Sequence, residues 1–130
     1  MIVDSSALVA ILKREPEREA FSILLETTRD VKISAATYFE TTTVIDGLRL
    51  PEMSRTLDDL IERAQIVIEP VTAEQARIAR QAYRDYGRGS GHAANLNFGD
   101  CFSYALARVK REPILFKGDD LGHTDLQAAI

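Results

Sequence analysis

Cysteine is almost missing from this sequence. Cys101 stands alone among 130 residues, which excludes an intramolecular disulfide and a cysteine-based zinc cluster. Tryptophan is absent, and the two histidines, His92 and His123, show no metal-ligand spacing. No apolar run approaches the roughly 18 residues of a membrane span. The first apolar stretch contains Asp4 and stops at Lys13-Arg14, so it does not read as a secretory leader, and the expected location is the cytoplasm. A surplus of positive charge is also lacking: 16 Lys and Arg stand against 20 Asp and Glu, a net charge of −4. Proteins that coat nucleic acid by bulk charge are usually basic, so that class is disfavoured. An enzyme acting on nucleic acid is not, because carboxylates can hold a cation that engages phosphate while a local basic rim steers the substrate.

What is present is enough for one real core. Hydrophobic residues make up 45% and charged residues 28%, so residues 1–130 read as a single domain. Met1-Ile2-Val3 is a short apolar run suited to a strand buried on both faces. Asp4 follows it, and Ser5 and Ser6 offer a cap for a helix through Leu12. After a break at Glu15-Pro16-Glu17, Ala20, Phe21, Leu24 and Leu25 have helical spacing. Val31–Ser34 alternates as a second strand. Thr37-Tyr38-Phe39-Glu40 has the form of a capping box, which predicts a third helix from about Thr37 to Leu50 with Glu40 in its first turn. Ser54 is the expected cap of a fourth helix carrying Leu57, Leu60, Ile61 and Ala64. A third strand spans Gln65–Glu69. Thr72-Ala73-Glu74-Gln75 opens a fifth helix, and a sixth begins near Gly99 or Asp100. Pro113–Phe116 is a fourth strand, followed by a turn-rich tail. Strands separated by pairs of helices predict a layered α/β fold with a mainly parallel sheet.

In such a fold, a helix crossing between parallel strands begins at their carboxyl edge, where ligands bind. Four acidic positions map there: Asp4 after the first strand, Glu40, Asp100, and Asp119 or Asp120 after the fourth strand. Each alone has an ordinary explanation as a cap, a dipole partner or a turn residue. The set does not. A cap is worth about 0.5–2 kcal/mol, whereas two carboxylates about 4 Å apart repel by roughly 4 kcal/mol at an effective dielectric near 20. Such a cluster calls for a hard divalent cation, Mg²⁺ or Mn²⁺, which can activate water and stabilise a phosphoryl transition state.

The segments Met1–Leu8, Ser34–Thr41, Asn97–Ser103 and Leu115–Asp125 resemble the PIN-domain nucleases, and more closely the VapC-type ribonuclease toxins of bacterial toxin–antitoxin pairs. The resemblance extends over the whole chain. It implies a PIN-like fold and a Mg²⁺- or Mn²⁺-dependent endoribonuclease that cuts structured RNA such as tRNA or rRNA. It also implies a homodimer, held inactive by a cognate antitoxin. By motif position, Asp4 and Asp100 resemble the principal metal ligands and Glu40 the second acidic residue. Asp119 and Asp120 both qualify as the last, and Ser6 resembles the hydroxyl residue that orients the first aspartate. Leu121 stands where many relatives carry Phe.

The antitoxin is expected to lay an apolar segment near the first helices and bring an Arg to Asp4 and Asp100. Helices between Leu48 and Tyr86 are expected to carry the dimer contact. Gly87–Gly91 lies between helices, so it is neither a P-loop nor a dinucleotide fingerprint. It reads as a flexible connection, with the alternative that Arg88 and His92 touch phosphate. Two other functions compete. A phospho-acceptor receiver domain also gathers acidic residues and Mg²⁺ at this edge, but gives no role to the helix-borne Glu40 and Asp100. A binding module of the same fold without catalysis is the other, and the intact acidic set counts against it.

Overall fold

The computed structural model describes residues 1–130. Its element order is β1 (Ile2–Val3), α1 (Ser5–Leu12), α2 (Arg18–Thr27), β2 (Lys32–Ser34), α3 (Ala35–Asp46), α4 (Pro51–Arg63), β3 (Val67–Glu69), α5 (Ala73–Tyr86), α6 (Phe98–Lys110) and β4 (Ile114–Leu115), then a single 3₁₀ turn (Leu121–His123). The alternation expected from the sequence is therefore observed. All strands are parallel, in the order β3-β2-β1-β4. The chain builds outward from β1 in one direction and returns to add β4 on its other side. That reversal makes the gap between the carboxyl ends of β1 and β4 the topological switch point, where α/β folds bind ligands.

The two-residue strands are effective because their side chains alternate between faces. Val3 and Leu115 enter a core with α1, α2, α3 and α4, including Leu8, Leu25, Ile45 and Leu57. Ile2 and Ile114 enter a second core with α5 and α6, including Leu96, Leu106 and Leu121. All four strand residues are fully buried. At the tail, Ala128 bridges to Ile114 and covers the β4 edge. No helix is long and apolar enough to cross a membrane.

Two helix starts differ from expectation. The third helix begins at Ala35, directly after Ser34. Ala35-Ala36 extend it upstream because alanine is the best helix former. Thr37 lies inside the helix rather than at its cap, and Glu40 falls in the second turn. The helix ends at Asp46, not Leu50. The fourth starts at Pro51, whose fixed φ suits a first helical position. Ser54 is therefore not a cap; its hydroxyl donates to Asp46 Oδ1 at 2.6 Å and closes the corner between α3 and α4. Thr72 does cap α5, accepting from the Gln75 N–H.

Candidate active site

Asp4 leaves β1 extended and caps α1. Its Oδ2 accepts the Ser6 N–H at 3.0 Å and the Ser6 hydroxyl at 2.6 Å. Its Oδ1 accepts the Ser103 hydroxyl from α6 at 2.5 Å. Ser103 has one hydroxyl proton and directs it at Asp4, so Thr37 on α3 must donate in the 3.1 Å contact between Thr37 and Ser103. Ser6 Oγ also accepts the Lys117 N–H at 3.0 Å, which ties the segment after β4 to the same corner. Three elements and one loop thus hold a single buried carboxylate in one orientation.

Glu40 approaches from α3. Its Oε1 accepts the Ser5 hydroxyl at 3.0 Å. Its Oε2 occupies the space a side chain at residue 99 would need: a Cβ on Gly99 would stand 1.8 Å from that oxygen. Gly99 is what lets the first turn of α6 come this close to α3. Burial raises the Glu40 pKa above 4.5; the Ser5 hydrogen bond opposes this and the charge of Asp4 adds to it.

Asp100 is the third residue of α6 and one half of a reciprocal cap: Asn97 Oδ1 accepts the Asp100 N–H, and Asp100 Oδ2 accepts the Asn97 N–H, both at 2.9 Å. A carboxylate at a helix N-terminus ordinarily gains from the helix dipole. Here the Asp100 carboxyl is instead pushed up to about 6. Burial is the largest cause, and the charges of Asp4, Asp120 and Glu40 add to it against the cap hydrogen bond. The loop after β4 thus brings the Asp120 charge to bear on Asp100. The neighbouring Asp119 is not among the charges that shift it.

No cation of the chain relieves this cluster. The ion pairs involve none of Asp4, Glu40, Asp100, Asp119 or Asp120. Lys117, close to Asp119 and Asp120 in sequence, turns its ammonium to Glu15 and Glu17 instead. The donors on offer are hard carboxylate oxygens, which suit Mg²⁺ or Mn²⁺ rather than a softer metal. No three of the side chains converge at ligand distance as they stand. Mg²⁺ is usually bound through only one or two carboxylates and several waters, so the donor set fits such an ion.

Of the residues singled out in the sequence, Asp4, Ser6, Glu40, Asp100 and Asp120 gather at the switch point. No hydrogen bond or ion pair ties Arg88 or His92 to them. His92 Nδ1 accepts the Ala94 N–H and its ring meets Tyr86 edge-on, so it builds its own loop. The Arg88 N–H bonds to Leu96 O. The sequence reading missed Ser103, Thr37, Ser5 and Asn97 as supports. One signal was available: Ser103 lies three residues after Asp100 and Thr37 three before Glu40, the spacing of side chains on one helix face.

With this geometry in hand, residues 1–126 match the PIN domain family model. Ribonuclease VapC28 of Mycobacterium tuberculosis is 55% identical over 130 residues, covering 100% of this chain and 98% of that protein. Ribonuclease VapC42 of the same species is 50% identical over 129 residues, covering 99% and 98%. Among solved structures, that of Mycobacterium tuberculosis VapC20, a toxin described as cleaving the sarcin–ricin loop, superposes with a TM-score of 0.73. It is 19% identical, covering 96% of this chain and 95% of that one, a likeness of fold.

Proposed function

The chain belongs to the PIN domain family, in its VapC ribonuclease branch, and on that premise we propose that it is a Mg²⁺- or Mn²⁺-dependent endoribonuclease toxin neutralised by a cognate antitoxin. One observation carries the reading: Asp4, Glu40, Asp100 and Asp120 come from four separate segments to the carboxyl ends of β1 and β4, and no protein cation pairs with any of them. A divalent ion bound there supplies charge stabilisation for the phosphate oxygens and activates water. Asp4 and Asp100 are the proposed ligands, with Ser6 and Ser103 fixing the orientation of Asp4. Glu40 and Asp120 order the attacking water. Burial raises the proton affinity of Glu40, which suits it to take the proton as the water oxygen bonds to phosphorus and the leaving oxygen departs. Of the two candidates after β4, Asp120 is the fourth acidic residue in this scheme, because its charge reaches Asp100.

Two surfaces support the proposed partners. A groove of about 640 Å³ between α1, α2 and α4 is lined by apolar residues including Leu12, Ile23 and Leu60, and by charges of both signs, Arg14, Arg18 and Arg63 with Glu19 and Glu26. It suits an amphipathic antitoxin segment. Leu48, Leu50, Val67, Ile68 and Val71 are exposed apolar residues in the stretch proposed for a two-fold homodimer. The phospho-acceptor alternative gives Glu40 and Asp100 no work. The deciding experiment incubates the purified chain with structured RNA while Mn²⁺ or Mg²⁺ is titrated. Cleavage that follows the metal and stops with chelator is expected; metal-independent cleavage, or none, would sink the proposal.

A further inference from the structure

The helix α5 carries Arg77, Arg80 and Arg84 at i, i+3 and i+7, with Arg88 two residues beyond its end. That spacing lays the three helical arginines along one stripe. All four are exposed and none forms an ion pair, an unusual concentration of free positive charge in a chain of net charge −4.

Arg80 and Arg84 line a groove of about 440 Å³ between α5 and the start of α6. Tyr83, Phe98 and Phe102 supply its aromatic surface, and no acidic residue lines it. The groove on the opposite flank of α5 is of mixed charge, with Glu74, Asp85 and Asp125 beside Arg108 and Arg111. Phe98 is 78% exposed and Tyr83 47%. Phe98 meets Phe102 edge-on at 5.0 Å between ring centres.

Its position connects this groove to the acidic site. Phe98, Cys101 and Phe102 lie on one face of the first turns of α6, while Gly99, Asp100 and Ser103 lie on the other. A helix is only about 10 Å across, so a strand whose phosphate sits at Asp100 has its neighbouring nucleotides within reach of the groove. We propose that the α5–α6 groove is the track for an unpaired stretch of the RNA substrate, with Arg80 and Arg84 on phosphates and Phe98 and Tyr83 stacking on bases. This rests on the ribonuclease reading above. A second copy of the chain is the poorer occupant, because a two-fold contact through this groove would bring the unpaired arginine stripe toward its own image.

The test measures binding of a fluorescent single-stranded oligoribonucleotide by anisotropy, with EDTA present so that the strand stays intact. Arg80→Ala/Arg84→Ala should weaken binding at least tenfold and reduce the salt slope by about 1.4, at roughly 0.7 per single-strand phosphate contact. Arg80→Lys/Arg84→Lys should recover the salt slope, and Phe98→Ala should weaken binding without changing that slope. Arg29→Ala/Arg55→Ala removes the same charge elsewhere and should bind as wild type does. Mn²⁺ binding, read by water-proton relaxation, should be equal in wild type and both groove variants.

Groove variants that bind RNA like wild type, or a control pair that weakens it equally, would overturn the groove while leaving the nuclease intact. A wild-type dimer that Arg80→Ala/Arg84→Ala turns into monomers in sedimentation would assign the groove to a second copy and also overturn it. A wild type that binds neither RNA nor Mn²⁺ would take down the ribonuclease reading and the groove with it.

Discussion

The two edges of the sheet are built on opposite electrostatic principles. At the amino edge, Glu112 before β4 pairs with Lys32 at the start of β2 and with the amino group of Met1 before β1. Partial burial would raise the Glu112 pKa, but hydrogen bonds and charge from Lys32 and the Met1 amine prevail and lower it. At the carboxyl edge, four acidic residues face one another with no cation between them, and the carboxyls of Glu40 and Asp100 are raised. The same three strands connect both edges. The amino edge is arranged as a stabilising closure. The carboxyl edge holds an unfavourable arrangement that the rest of the fold must support, the usual signature of a working site.

The contrast is tested most severely by removing one charge from the carboxyl edge. Asp100→Asn keeps an oxygen for the Asn97 N–H, and Asn is itself a good capping residue. RNA cleavage should fall at least about a hundredfold, the scale of losing a group that stabilises charge in the transition state. The fold should survive with equal or higher melting temperature in chelator. Asp4→Asn should behave alike. Full cleavage by a well-folded Asp100→Asn protein would reduce Asp100 to a helix cap.

The supports come next in size. Ser103→Ala takes the donor from Asp4 Oδ1 and leaves the buried Thr37 hydroxyl without its acceptor. A lost hydrogen bond to a charged group costs about 1.5–3 kcal/mol. Cleavage should drop about tenfold or more, the scale seen when a group orienting a metal ligand is removed. Urea melts and cleavage rates on the same preparation check both figures. A variant that loses stability but keeps its rate would show that Ser103 is a core residue only.

The pH dependence should differ in sign between the edges. Folding raises the Asp100 pKa from 3.8 to about 6, so the native state keeps a proton that the unfolded chain releases between those values. Without metal, the contribution of Asp100 therefore makes stability fall as pH rises through that window. Two pK units correspond to at most about 3 kcal/mol, and about 1–2 kcal/mol remains once solvent on the open side is allowed for. Melts in EDTA from pH 4 to 7 should show this decline in wild type and a much smaller one in Asp100→Asn. Parallel curves would mean that the carboxyl edge carries no such repulsion.

Much of this organisation is legible in the sequence, and the limits have physical causes. The element order follows from local signals: short β-branched runs, helical periodicity, Pro51 and the glycines around residue 90. Strand order does not, because nothing local says that β4 pairs with β1 rather than β3. The acidic set is legible because each member sits beside a strand end or a helix start. Even Glu40 keeps its place although its helix begins two residues before Thr37. The choice between Asp119 and Asp120 is not legible, since both occupy one turn. Ser103 escapes for a different reason: its partner Asp4 is 99 residues away, and a hydroxyl in an apolar helix face looks like tolerated polarity until that partner is in place.

The smallest expected effect lies at the amino edge and sharpens the comparison by its modesty. Glu112→Gln keeps the shape and one acceptor oxygen but removes the charge that Lys32 and the Met1 amine share. The Glu112 side chain is 25% exposed, so water competes for both partners, and each such pair is worth roughly 0.2–1 kcal/mol. The variant should lose about 1 kcal/mol at neutral pH and cleave RNA at the wild-type rate. Its acid response follows from the lowered pKa. The unfolded chain takes up a proton near 4.5 before the native state does, so this contribution is present above that pH and is lost as pH falls through the native value. Urea melts at pH 7 and at pH 3.5 should therefore separate wild type from Glu112→Gln at the first and by less at the second. A larger gap at the lower pH would contradict the lowered pKa. A fall in cleavage at neutral pH would show that the two edges are coupled through β1, and the division of labour between them would have to be given up.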